Sequence, residues 1–222
     1  MKSNGEYSVA VMQPYFFPYA GYFRLLAYCD KFVVFDCVQY TRRSWISRNT
    51  FSKSSGGNAW LNMPIAKSPQ STLIRDIQFR EAEEFNLEPF NIVKNLSGEE
   101  RNFLFSTDLS PVDLLCRQLL WVTSKLDISC EILRSSSFEI DGNIHGEDRV
   151  INIAKMAGGN QYVNLAGGRD LYDQRTFASS GLELKILTQY EGPSTNILDR
   201  ISSENLDSIK SEILEQTNFQ NL

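Results

Sequence analysis

Short apolar runs alternate with longer polar stretches along this chain, and the runs nearest the N-terminus indicate the fold class. Tyr7 to Met12 and Phe32 to Phe35 are continuous apolar segments of strand length, rich in β-branched residues, as expected of parallel strands covered on both faces. The intervening chain passes through a loop, Gln13 to Gly21, and then reads as a helix, so a βαβ unit is predicted. Ligands of such units sit beyond the carboxyl ends of the strands. The loop there carries Pro14, Pro18, Gly21 and the rings of Tyr15, Phe16, Phe17 and Tyr19.

Farther along, Ala59 to Ala66 reads as a strand with Pro64 near its end, and Thr72 to Phe79 alternates in the strand period, which predicts an antiparallel addition. Glu81 to Asn102 holds helical pieces interrupted by Pro89 and Gly98. A helix is predicted after Ser110, a good N-cap, with Pro111 in its first position and an apolar face of Leu114, Leu115, Leu119 and Val122. A second helix spans about 146–157, and "QYVNL" and "LELKIL" read as strands. This alternation predicts an α/β fold: a doubly wound, mostly parallel sheet with a small inserted β/helical region. The expected boundaries are a single domain over 1–202 with its insertion at about 52–108, then a C-terminal helix and frayed tail over 203–222.

A net charge of −5 argues against a general nucleic-acid binder, although a local basic patch is compatible with it. Cys29, Cys37, Cys116 and Cys130 lack C-x-x-C spacing and His145 is the single histidine, so no metal site is expected and the cysteines read as reduced thiols. The N-terminus lacks the apolar core of a signal peptide, and no run approaches the length of a membrane span. A soluble, cytoplasmic protein is expected. G-x-S-x-G, Walker A and G-x-G-x-x-G sequences are absent, and no cofactor is expected.

Three loops carry candidate chemistry. Tyr19-Ala20-Gly21-Tyr22 occupies the place where nucleotidyltransferases have H-x-G-H, so the first βαβ unit is nucleotidyltransferase-like with its glycine kept and both histidines replaced. In this loop Phe16, Phe17, Tyr22 and Phe23 suit a core, while Gln13, Tyr15 and Tyr19 have polar groups that need a partner or a ligand. The second loop follows the second strand with Asp36, Gln39, Tyr40, Arg42, Arg43, Trp45, Arg48 and Asn49. Arginine forks match phosphate geometry and Trp offers a stacking face, whereas the plainer reading is arginines lying over an aromatic cluster. The two loops are expected to meet at one pocket. The third loop, "NLAGGRDLYD", brings Gly167, Gly168, Arg169 and Tyr172 to the crevice from its other side. His145, just before a helix, is a candidate general base or a surface residue.

The segments "MQPYFFPYAGYFRLL", "DKFVVFDCVQYTRRSWISRNTF", "YVNLAGGRDLYD" and "GLELKILTQY" together resemble the WbqC-like family of bacterial surface-polysaccharide gene clusters, over most of the chain. The family pattern has two acidic residues where this chain reads Asp36-Cys37. The resemblance implies O-antigen or capsule precursor synthesis, with a glycyl or other acyl group transferred to the amine of a nucleotide-linked amino sugar. In that chemistry Asp36 would orient or deprotonate the amine, Gln13 would face the oxyanion, and Arg42, Arg43 and Arg48 would hold the diphosphate. The acyl donor is not readable; an aminoacyl-tRNA would suit the local basic loop, and otherwise neither nucleic acid nor membrane is an expected partner. The alternative is a non-catalytic nucleotide- or nucleotide-sugar-binding protein with an eroded nucleotidyltransferase-like site.

Overall fold

A computed structural model describes Gly5 and residues 7–221. The chain runs through β1 (Ser8–Met12), α1 (Phe23–Tyr28), β2 (Lys31–Val34), β3 (Arg48–Ser52), β4 (Asn58–Asn62), α2 (Ile92–Asn95), α3 (Gly98–Phe105) and α4 (Pro111–Lys125). It continues through β5 (Glu131–Arg134), α5 (Gly146–Met156), β6 (Gln161–Asn164), α6 (Gln174–Ser179), β7 (Glu183–Ile186), α7 (Ile197–Ser203) and α8 (Leu206–Glu215).

Five strands form one sheet in the order β5-β2-β1-β6-β7, and every neighbouring pair is parallel. The chain starts in the centre, steps outward to β2 and β5, then returns to β6 on the other flank of β1. The expected α/β architecture is present, and its order reverses between β1 and β6, where doubly wound sheets open a crevice.

Alternating side chains explain why the strands are apolar throughout. Ala10, Phe32 and Val34 pack on one face with Leu25 and Leu26 of α1, Leu119 of α4 and Ile209 of α8. Val9, Val11, Val33 and Leu184 pack on the other with Ile153 and Ala154 of α5 and Phe177 of α6. Each valine, leucine, isoleucine or phenylalanine side chain so buried contributes about 1.5–3 kcal/mol. The α4 start is as expected, with Pro111 first in the helix and Ser110 Oγ accepting from the Asp113 amide at 3.2 Å.

The insertion departs from the sequence pattern. Thr72 to Phe79 is not a strand: it holds a short 3₁₀ turn at Ile74–Asp76, with isolated bridges at Leu73 and Phe79. The antiparallel pair is β3 with β4, and β3 lies in the polar stretch that reads as loop. Asn49 and Phe51 are buried while Arg48, Thr50 and Ser52 are half-buried, a strand alternation hidden because one inward residue is polar. Gly56 and Gly57, with φ of 91° and 71°, make the connecting turn. The C-terminal segment holds α7 and α8, and its last residues return to the sheet edge. There the Thr188 amide donates to Asn218 O and the Gln220 amide to Ile186 O, both at 2.8 Å.

Candidate functional site

The loop after β1 divides by the direction of its side chains. Phe16 and Phe17 enter a ring cluster with Phe51, Phe85 and Phe105 of the insertion, the centroids of contacting pairs lying 5.2 to 6.3 Å apart. Phe17 has φ of 45°, a left-handed conformation that costs a bulky residue about 1–3 kcal/mol. Asn49 holds it there, its Nδ2 donating to Phe16 O at 2.9 Å and Phe17 O at 2.8 Å. Tyr22 is fully buried, and its hydroxyl donates to Gln13 O at 2.8 Å. With the phenylalanines anchored on the insertion side, Gln13, Tyr15 and Tyr19 line the crevice.

That crevice is a cavity of about 550 Å³ at the switch point, within the size range of small-molecule sites. Gln13, Tyr15 and Tyr19 come from the β1 loop, Asn164, Gly167, Gly168 and Tyr172 from β6 and the turn after it, and Gln189 and Tyr190 from beyond β7. Gly168 is dictated by space, since a Cβ would lie 2.5 Å from Asn164 Nδ2. Gly21 has the same reason: its Cβ would lie 2.3 Å from Tyr19 Cε2 and 2.6 Å from Tyr190 Cγ. Burial raises the Tyr15, Tyr19, Tyr172 and Tyr190 phenols above their ordinary value, so at neutral pH they are hydrogen-bond donors rather than bases.

The lining carries one charge, Arg24 of α1, which is 1% exposed. Its Nε donates to Gly21 O at 3.2 Å, and its Nη1 to Thr188 O at 3.0 Å and Gln216 O at 2.8 Å. Desolvation pushes its pKa below the ordinary arginine value, opposed by the Tyr19 and Tyr190 phenols. Arg24 is not among the residues the sequence singles out. Its signal is a lone charge inside the apolar run Tyr22–Leu26.

Asp36 does not face the cavity. It is fully buried at the end of β2, where its carboxylate accepts from Arg134 Nε at 2.7 Å, Ser135 Oγ at 2.9 Å, and the amide and hydroxyl of Ser136 at 2.8 and 2.7 Å. Its oxygens are occupied by a structural network, so the geometry gives it no open lone pair for a substrate amine. Cys37 is buried beside it, with Arg149 donating to its carbonyl at 2.9 Å.

The arginine loop is split between cavities. Trp45 and Asn49 line a smaller space of about 240 Å³ that shares Tyr15 and Tyr19 with the switch-point cavity. Tyr40, Arg42 and Arg43 line another cavity of about 740 Å³ in the insertion, with Trp60 and Arg80. Arg42 donates to Ser68 O, Gln39 Nε2 to Gln70 O at 2.7 Å, and the Tyr40 hydroxyl to Ser47 Oγ at 2.7 Å. Arg48 lies over the Trp60 ring, 4.2 Å from its centroid, which is the packing alternative. Arg169 is exposed and donates to Gln220 Oε1 at 2.8 Å, and His145 is exposed at the start of α5 without a capping bond from its side chain. Among the described residues, no group of three potential ligands could hold a metal, and no helix is long and apolar enough to cross a membrane.

Residues 13–194, which include all three loops, match the WbqC-like protein family. The chain belongs to that family. The matched span starts at Gln13, the first residue of the cavity-lining loop, and reaches past Tyr190, so every wall of the cavity contains WbqC-like sequence. The chain is also 29% identical over 181 residues to the uncharacterized protein Rv1507c of Mycobacterium tuberculosis, covering 76% of this chain and 77% of that one. No solved structure matches.

Proposed function

We propose that this WbqC-like protein is a cytoplasmic transferase of bacterial surface-polysaccharide precursor synthesis, passing an acyl or aminoacyl group, such as glycyl, to the amine of a nucleotide-linked amino sugar. The observation that supports this reading is the switch-point cavity, where the β1 loop and the turn after β6 converge on a volume of about 550 Å³. The amine attacks the acyl carbonyl, a C–N bond forms, and the bond to the donor's leaving group breaks. The tetrahedral oxyanion needs donors, and the Gln13 amide with the Tyr15 and Tyr19 phenols are the donors at hand. Among the described residues no carboxylate or imidazole lines the cavity, so the amine arrives neutral, the proton it gives up as the amide forms passes to the departing group or to solvent, and catalysis rests on positioning. The donor is an activated ester or thioester, an aminoacyl-tRNA being one form.

That same lack of an acid–base residue favours a second reading, a protein that binds the nucleotide-linked sugar without transforming it. Incubation with a nucleotide-linked amino sugar and acyl donors, followed by mass measurement, separates the two. A sugar heavier by one acyl group is the expected result. Binding by calorimetry with no mass gain from any donor supports the second reading, and no binding overturns both.

A further inference from the structure

We infer that Arg24 is an anion anchor, holding the diphosphate of a nucleotide-linked ligand in the switch-point cavity. The inference rests on the reading of that cavity as the substrate site, and not on acyl transfer. Arg24 is 1% exposed, yet it makes no ion pair among the described residues. A buried charge without a counter-charge is unfavourable unless a partner arrives, and low polarity around it strengthens its attraction for an anion. The chain's other deeply buried arginine, Arg200 at 3% exposure, is paired with both Glu204 and Glu212 at 2.7 and 2.8 Å. Arg24 is therefore an exception within its own protein.

The geometry leaves a place for the anion. Nε and Nη1 are committed to the carbonyls of Gly21, Thr188 and Gln216, which orients the guanidinium plane and leaves Nη2 without an acceptor among the described residues. The Tyr190 ring centroid lies 5.3 Å from the guanidinium carbon, and the Tyr19 ring packs on Tyr190 at 5.4 Å, so the group is held rather than free to swing. The rest of the lining adds neutral donors, including Gln13, Asn164 and Gln189, and no competing carboxylate. A fixed cation surrounded by neutral donors suits a diphosphate.

Calorimetric titration of inorganic pyrophosphate and of a nucleotide-linked amino sugar into the wild type, Arg24→Gln and Gly167→Asp tests this. Gln keeps an amide donor for part of that carbonyl set and removes the charge. Asp at position 167 adds a carboxylate on the exposed rim, where a new Cβ meets nothing within 4 Å, so it serves if Arg24→Gln does not fold. Pyrophosphate is expected to bind the wild type and to bind each variant at least about tenfold more weakly, the scale of one charged hydrogen bond. No pyrophosphate binding, or equal binding by the folded variants, overturns the inference. Nucleotide-sugar binding that ignores both variants overturns it while leaving the proposed function standing. Arg24-dependent pyrophosphate binding without nucleotide-sugar binding does the reverse.

Discussion

Two buried charges stand near the carboxyl edge of the same sheet and are treated in opposite ways. Asp36, at the end of β2, is surrounded by Arg134 and the Ser135–Ser136 pair, and its oxygens are taken. Arg24, beside the end of β1, has carbonyls on two of its nitrogens, no counter-ion among the described residues, and an open cavity in front of it. A buried charge whose partners all come from the protein belongs to the scaffold; one whose partners are incomplete is prepared for something from outside. By that criterion the residue most conspicuous in the sequence is structural, and the inconspicuous one is the candidate for binding.

The contrast is most open to challenge at Asp36. Asp36→Ala takes the acceptor from Arg134 Nε and from two serine hydroxyls, and because Arg134 is 31% exposed and keeps Asp113 as a partner at 2.7 Å the cost falls at the low end for a broken buried pair, about 3 kcal/mol. For a chain of this size that lowers the melting temperature by roughly 6–12 °C. Ligand affinity of the folded protein should hold. A variant with wild-type stability and no activity would return Asp36 to the catalytic centre.

A smaller effect is expected at Glu212, which stands behind the Tyr190 wall of the cavity. Glu212→Gln removes the charge paired with Arg200 and should cost about 1 kcal/mol at neutral pH, since the carboxylate side chain is 25% exposed. Hydrogen bonding to Arg200 holds Glu212 below the ordinary carboxylate value, against desolvation. The unfolded chain therefore binds the proton more readily, and Glu212's contribution to stability is present above the unfolded carboxylate value of about 4.3 and is lost as pH falls from there through its lower folded-state value. Melting curves of wild type and variant should differ at about pH 7 and converge only once the pH has fallen below the depressed folded-state value of Glu212. A difference that persists in acid would show that packing, not charge, joins α7 to α8.

The smallest effects belong to the insertion cavity. Arg42 and Arg43 are exposed, so Arg42→Lys and Arg43→Lys should each change stability by less than about 0.5 kcal/mol and leave affinity at the switch point unchanged. A tenfold loss of nucleotide-sugar binding in either, measured by calorimetry, would move the diphosphate to the insertion and dissolve the contrast with Arg24.

The scaffold was legible because its signals are local. Buried parallel strands need unbroken apolar runs, and α4 needs a cap, a proline and an apolar stripe; Val9–Met12, Phe32–Val34 and Ser110–Val122 display these within a few residues. The β1 loop and the glycines after β6 were legible for the same reason, since topology alone puts them at the crevice. Strand β4 was legible, but its partner β3 was hidden because the inward Asn49 is polar, its bonds going to Phe16 and Phe17 across more than thirty residues of chain. The return of the C-terminus was hidden likewise, being made of backbone bonds to the edge of β7. By itself, then, the sequence determined the layered α/β fold and which loops crown the sheet. Only the tertiary structure decided which charges are satisfied: Asp36 meets serines about a hundred residues away, Arg24 meets carbonyls of Thr188 and Gln216 but no acid, and such pairings depend on distances that no spacing along the chain encodes.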